Sequence, residues 1–179
     1  MIREITWGDD EMDLIKGKVW KFGDNINTDV IIPGRFMNTP LEDMKTHALE
    51  IVNPQFSLDV KRGDVIVGGE NFGCGSSREE AVSVLKANGI AAVVCESFAR
   101  IFFRNAVSIG LPVIICPGVS GAFYENDTLE LDLDAATVTD VNRKTVLSCE
   151  PLSKELLAIL SKGGILPILR EFTKTQSGL

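Results

Sequence analysis

The sequence has little that would bind a metal, a nucleic acid or a bilayer. Its four cysteines, Cys74, Cys95, Cys116 and Cys149, are widely spaced and form no Cys-x-x-Cys pair. That argues against zinc or an iron–sulfur cluster held by this chain alone. There is a single histidine, His47. It falls in a helical stretch without an acid or cysteine pattern, and we assign it no catalytic role. Basic residues number 18 against 25 acidic ones, a net charge of −7, and no basic stripe is visible. A nucleic-acid partner is therefore disfavoured. No apolar run reaches the roughly 20 residues that span a bilayer. The opening Met1-Ile2-Arg3-Glu4-Ile5 lacks a basic region followed by an apolar core, so export is not expected. Cysteines in apolar runs, such as Cys95 and Cys116, suit a reducing cytoplasm, the expected location.

What remains is ordinary globular material, 45% hydrophobic and 24% charged over 179 residues, enough for one domain with a proper core. One stretch organises it, Val65 to Glu80. A short apolar strand, Val65 to Val67, enters the loop Gly68-Gly69-Glu70-Asn71-Phe72-Gly73-Cys74-Gly75-Ser76-Ser77-Arg78. A helix follows, with Ala81, Val84 and Leu85 on one face. Ser76 with Glu79, and Ser77 with Glu80, each fit the S-x-x-E capping box. A helix start leaves backbone N–H groups unpaired and carries partial positive charge. Gly73 and Gly75 let the backbone approach a ligand, and Arg78 offers a planar fork for a carboxylate. The loop reads as an anion site with two hydroxyls beside the anion. A plain capped helix after a tight turn fits the same residues. A Walker loop is excluded because no lysine is present, and a dinucleotide fingerprint because Arg78 stands where its third glycine belongs. The G-x-S-x-G elbow fails as well.

Along the chain, Gly17 to Phe22 alternates as a strand, and Gly23 to Asp29 is a polar loop dense in turn residues. The loop is either a simple turn or a set of donors and acceptors beside a ligand. The apolar run Val30 to Ile32 stops at Pro33-Gly34, and a helical stretch is expected from Leu41 to Ile51. The helix after the central loop should run from Ser77 to Asn88. Strands at Ile90 to Cys95 and Leu111 to Cys116 flank a helix, Phe98 to Ile109, capped by Ser97. Arg100, Arg104 and Asn105 read as solvated helix residues. Strand–helix–strand–helix–strand implies parallel pairing, with ligand residues at the strands' carboxyl ends. Thr128 to Leu133, Thr137 to Val141 and Thr145 to Cys149 alternate as an antiparallel meander, and Lys154 to Leu160 as a helix after Ser153. Leu166 to Leu169 is ambiguous. We divide the chain into an extension at 1–16, one α/β domain at 17–172 and a frayed tail at 173–179.

Three motifs in register carry a resemblance. Asn71 to Glu79 resembles the signature loop of the aconitase superfamily swivel domain. Asp24-Asn25-Ile26-Asn27-Thr28-Asp29 and Glu96-Ser97-Phe98-Ala99-Arg100-Ile101 resemble two further motifs of that domain, in the right order. The similarity runs from about Gly17 to Pro117. The length and the stand-alone domain resemble the small subunits of the 3-isopropylmalate dehydratase family, particularly the shorter type shared with archaeal homoaconitases.

The resemblance implies a swivelling β/β/α fold and a hydro-lyase that isomerises a 2-hydroxy acid by dehydration and rehydration. It implies a separate large subunit as partner, carrying a [4Fe–4S] cluster, with no cofactor on this chain. The substrate would be a small di- or tricarboxylate. By motif position Ser76 would be the base that takes the carbon-bound proton. Ser77 and Arg78 would bind a substrate carboxylate, and Thr28 and Asp29 would line the cavity. A free serine is too weak an acid for this, so dipoles and the guanidinium must favour its anion. In the family the loop after Pro-Gly discriminates substrates; here it reads Arg35-Phe36-Met37-Asn38-Thr39. Asn38 stands where a homoaconitase-like arginine would bind an extra carboxylate, and Met37 suits an isopropyl group. A 2,3-dimethylmalate-type dehydratase is the neighbouring alternative. A non-catalytic anion-binding module is the alternative of another class. A thiol enzyme using Cys74 with His47 has no motif that would supply its base.

Overall fold

Residues 14 to 176 are described in the computed structural model; the extension with Trp7 lies outside them up to position 13. The chain first forms β1 (Ile15–Lys21), α1 (Thr28–Ile31), a 3-10 turn (Gly34–Phe36), α2 (Leu41–Met44), a second 3-10 turn (Lys45–His47) and α3 (Phe56–Asp59). Then come β2 (Val65–Gly68), α4 (Glu79–Ala87), β3 (Ala92–Cys95), α5 (Arg100–Ser108), β4 (Val113–Ile115) and α6 (Val119–Ala122). The meander β5 (Thr128–Asp132), β6 (Thr137–Asp140) and β7 (Thr145–Ser148) follows, and α7 (Lys154–Ser161) and α8 (Ile165–Gln176) close the chain.

The strands form one seven-stranded mixed sheet in the order β4-β3-β2-β1-β5-β6-β7. From β4 to β1 the pairing is parallel, as the alternating strands and helices require; β1 then pairs antiparallel with β5, and the meander continues antiparallel. Parallel strands are covered on both faces, and their side chains divide accordingly. Trp20, Ile66 and Val93 join one core with the faces of α4 and α5, while Val19, Val65, Val67 and Val94 join a second core under α6 and the meander. In β5 and β6, Leu129, Leu131 and Val138 point inward and alternate with half-buried polar residues. The turn after β6 is held by buried Asp140, whose Oδ1 accepts from the N–H groups of Asn142 and Arg143.

Several expected elements differ. The stretch from Leu41 to Ile51 is not one helix. It breaks after His47 because Leu49 is fully buried at a φ of 56° and gives its N–H to the Ile31 carbonyl. The polar loop ends in a helix: Asn27 Oδ1 accepts from Val30 N–H at 2.8 Å, and Thr28 opens α1. The ambiguous Leu166 to Leu169 is helical, with Pro167 in the first turn of α8, where its missing N–H costs nothing. That helix also takes in the first residues of the expected frayed tail. Ile15 and Lys16 belong to β1. Ser97 does not cap α5; Ala99 holds the N-cap position without a side-chain bond.

Glu96 ties the sheet's carboxyl edge to α6. Its carboxylate accepts from Gly118 N–H, Ser120 N–H and Ser120 Oγ, at 2.8, 2.8 and 2.6 Å. Partial burial alone would raise its pKa, but the bonds from Ser120 and Gly118 outweigh it and hold the carboxyl below the usual range. A depressed carboxylate stabilises the fold above its unfolded pKa, and that contribution is lost as pH falls through the folded value. Glu96→Gln is therefore expected to cost about 1 kcal/mol at neutral pH. In urea titrations the gap between variant and wild type should close below about pH 4.

Candidate functional site

Three loops leave the carboxyl ends of β1, β2 and β3, and backbone bonds sew them together. Asn25 N–H donates to the Glu70 carbonyl, Gly73 N–H to that of Ile26, and Thr28 N–H to that of Cys74. Asp24 Oδ1 takes Glu70 N–H, and Asn71 Nδ2 donates to Asn25 Oδ1. Both asparagines sit at positive φ, 55° and 58°, a conformation their side chains tolerate. On the other side Phe72 N–H donates to the Ser97 carbonyl, Ala99 N–H to that of Phe72, and Asn71 N–H to Ser97 Oγ. Asp24, Asn25 and Ser97 thus hold loop to loop, and Asp29 and the end of the central loop are left exposed while Thr28 is buried.

The glycines act differently from expectation. At Gly73, φ is 76° and an added Cβ would lie 2.1 Å from Phe102 Cγ, so this glycine admits a core ring and not a ligand. Gly75, at φ 100°, would place a Cβ 3.1 Å from Thr28 Oγ1. It lets the chain turn so that Ser76 meets Thr28.

Ser76 is exposed, and its Oγ lies 3.0 Å from Thr28 Oγ1, while its own N–H donates to that same oxygen at 3.1 Å. Thr28 is 1% exposed and cannot move to water. With one lone pair taken by the N–H, its hydroxyl proton is free to point at Ser76 Oγ. Once Ser76 loses its proton, this is the only direction the pair allows. In the neutral pair either hydroxyl can donate to the other; a serine anion could only accept from Thr28.

The expected capping boxes are not formed. α4 begins at Glu79, Arg78 is its N-cap in an extended conformation, and Ser76 lies two residues earlier. Arg78 N–H turns back to the Ser76 carbonyl at 2.8 Å, which delays the helix. Glu79 and Glu80 occupy the first turn and offset the helix's positive end. The group bonded to Ser76 is thus Thr28 Oγ1 and not the helix start. Arg78 is half-buried, and its Nη1 bonds Asp29 Oδ1 at 2.7 Å and the Ile32 carbonyl at 2.8 Å. Asp29 is exposed, so it orients the guanidinium from the rim. Among the described residues no hydrogen bond uses Nη2. Ser77, the preceding residue, is also exposed.

The loop after Pro33 abuts this group. A Cβ on Gly34 would lie 3.7 Å from Arg78 Nη2 and 3.8 Å from Asp29 Oδ1. Asn38 is exposed and has no hydrogen bond among the described residues; Met37 is half-buried, and Thr39 Oγ1 is spent on the Phe36 carbonyl at 2.6 Å. Arg35 is exposed and Phe36 half-buried. His47 does have an acid beside it, Glu50, and stacks on Phe36. The i, i+3 spacing of His47 and Glu50 was the available signal. Clefts of about 510 and 580 Å³ run along α5, sharing Ile101, Phe103 and Arg104, and Ser76 lines neither.

The model of the aconitase C-terminal domain matches residues 25–116, which take in the loops after β2 and β3 and the loop after β1 from Asn25 on. The chain belongs to this family. Over 159 residues it is 46% identical to "3-isopropylmalate dehydratase small subunit 1" of Methanopyrus kandleri, covering 88% of this chain and 94% of that one. It is 45% identical over 159 residues to "Isopropylmalate/citramalate isomerase small subunit" of Methanocaldococcus jannaschii, covering 88% and 95%. The crystal structure of 3-isopropylmalate dehydratase from Methanocaldococcus jannaschii superposes with a TM-score of 0.87 at 41% identity, over 93% of this chain and 99% of that one. The mixed sheet with its helices is thus the swivelling β/β/α architecture of the aconitase C-terminal domain.

In an aconitase C-terminal domain built this way, Thr28 should matter to the loop before any chemistry is considered. Thr28→Val removes the acceptor of Ser76 N–H and is expected to cost about 1 kcal/mol in chemical denaturation, whereas Thr28→Ser should match wild type.

Proposed function

We propose that this chain is the small subunit of a heteromeric hydro-lyase interconverting 2-isopropylmalate and 3-isopropylmalate, a step of leucine biosynthesis. The names of the relatives support the reaction class, and their designation as small subunits supports a larger catalytic partner. The observation that carries the reading is the Thr28–Ser76 hydroxyl pair at 3.0 Å on an exposed loop beside a partly uncommitted guanidinium.

In this reading Ser76 Oγ takes the proton from the substrate carbon during dehydration and returns it at the neighbouring carbon during rehydration. Thr28 donates to Oγ while it is anionic, a donor already oriented and requiring no rearrangement at the moment of reaction. Arg78 Nη2 and Ser77 bind a carboxylate of the substrate and fix which carbon faces Oγ. This chain's own residues do not fit a cluster: among the described residues no group of three or more His, Cys, Asp and Glu could hold a metal ion, and Cys95, Cys116 and Cys149 are buried. The [4Fe–4S] cluster belongs on the large subunit, whose open iron would act as Lewis acid on the substrate's hydroxyl and carboxylate. All four thiols are free, which suits the reducing cytoplasm. Asn38 is neutral, so a substrate with an extra carboxylate finds no counter-charge there, and half-buried Met37 offers apolar contact for a branched alkyl group.

Two measurements on the anaerobically reconstituted complex test this. Ser76→Ala should lower kcat by about 10²- to 10⁴-fold while subunit association stays intact; normal turnover would remove Ser76 from its role. Asn38→Arg should shift preference toward a homologue bearing one more carboxylate, and unchanged preference would locate discrimination elsewhere.

A further inference from the structure

The loop carrying Met37 and Asn38 is held by a closed ring of four side chains. The ring of Phe36 lies flat on His47, centroids 3.8 Å apart and planes 9° from parallel. The Arg35 guanidinium covers Phe36 at 4.6 Å. His47 Nδ1 meets Glu50 Oε2 at 2.7 Å, and Glu50 Oε1 pairs with Arg35. Arg35, Phe36, His47 and Glu50 therefore bond in a cycle, each touching the next. The loop's own backbone bonds are short-range: Met37 N–H to the Gly34 carbonyl and Thr39 N–H to that of Phe36. The ring fastens it to the segment after α2, and Phe36 also packs against the first core. The loop starts beside the site: a Cβ added at Gly34 would come into van der Waals contact with Arg78 Nη2 and Asp29 Oδ1.

We propose that His47 and Glu50 are positioning residues for substrate discrimination: they fix the side-group loop, Met37 and Asn38 included, against the Arg78 end of the pocket. The proposal rests on the hydro-lyase reading above and deepens it. Neither residue touches the reacting carbon. Their work is to make the loop's shape available before substrate arrives, so that the alkyl group meets a formed surface. A loop that must be ordered on binding loses affinity and shape selection together. One methylene in a shaped pocket is worth about tenfold or more in discrimination, and a loosened wall forfeits part of that. The ring has two separable components: His47→Phe keeps the stack and loses the bond to Glu50, Glu50→Gln weakens both polar links and keeps the stack, and His47→Ala loses stack and bond.

The experiment measures kcat and KM of the reconstituted complex for 2-isopropylmalate and for a methyl-substituted malate, together with the Met37 methyl signal of the isolated chain labelled at methionine methyls. His47→Ala is expected to raise KM for the isopropyl substrate about fivefold or more with kcat within about twofold, and to reduce the isopropyl-over-methyl preference several-fold. The Met37 methyl line should move or broaden. His47→Phe should recover most of the line shape and the KM, and Glu50→Gln should fall between. Unchanged KM, preference and methyl line in His47→Ala would overturn the proposal. So would an equal loss of kcat for both substrates that His47→Phe does not rescue. A wild-type complex inactive on every substituted malate would overturn the hydro-lyase reading itself, whereas an active wild type with indifferent His47 and Glu50 variants would overturn the positioning role alone.

Discussion

A hydroxyl held by a second hydroxyl is the constraint from which the site is built. Thr28 Oγ1 receives Ser76 N–H and faces Ser76 Oγ at 3.0 Å. Thr28 can do this because Asn27 caps α1 and fixes its first turn, and because Thr28 N–H is pinned to the Cys74 carbonyl. Gly75 supplies the left-handed turn that brings Ser76 back onto it. An alkoxide needs a donor that is already oriented, since water would have to reorganise around each new charge. A buried threonine whose position is set by backbone bonds meets that need better than the exposed start of a helix bearing two glutamates.

The sheet explains why the parts converge. β1, β2 and β3 are adjacent and parallel, so the segments leaving their carboxyl ends emerge side by side. Each loop then supplies what its neighbours lack. The loop after β2 brings the serines and Arg78, the loop after β1 brings Thr28 and Asp29, and the loop after β3 brings Ser97 and the backbone that grips Phe72. The switch to antiparallel pairing at β5 leaves the meander on the far side, where Leu129, Leu131 and Val138 close the second core.

Much of this was legible from residue patterns, and the misses share one cause. Apolar runs with β-branched residues located β2 to β4, strict alternation located β5 to β7, and three motifs located the site loops. The capping boxes at Ser76 and Ser77 were wrong because those hydroxyls face tertiary partners or the open site, so the helix waits until Glu79. Ser97 was misread likewise: its Oγ is spent on Asn71 N–H, a residue 26 positions away. The helix expected at Leu41 to Ile51 failed because Leu49 gains more by entering the core at positive φ than by continuing the helical repeat. The structural partner of His47, Phe36, was not visible in the pattern because it lies on a different element. Local propensity is silent about bonds between segments distant in sequence, and the site is made of such bonds.

Chemistry and discrimination are secured by different kinds of force. The segments bearing Ser76, Thr28 and Arg78 are tied to one another by backbone hydrogen bonds, reinforced by side chains of Asp24, Thr28, Asn71, Arg78 and Ser97. The loop bearing Met37 and Asn38 is fastened through side chains, an aromatic stack and two polar links at half-exposed positions. Under the proposed roles, substitutions in that ring would alter the wall around the substrate's side group and leave the hydroxyl pair in place. A fold organised in this way could then exchange one alkyl group for another without changing the residues proposed for proton transfer. Such a division would let one architecture serve both relatives of 46% and 45% identity, whose names share isopropylmalate while the second adds citramalate.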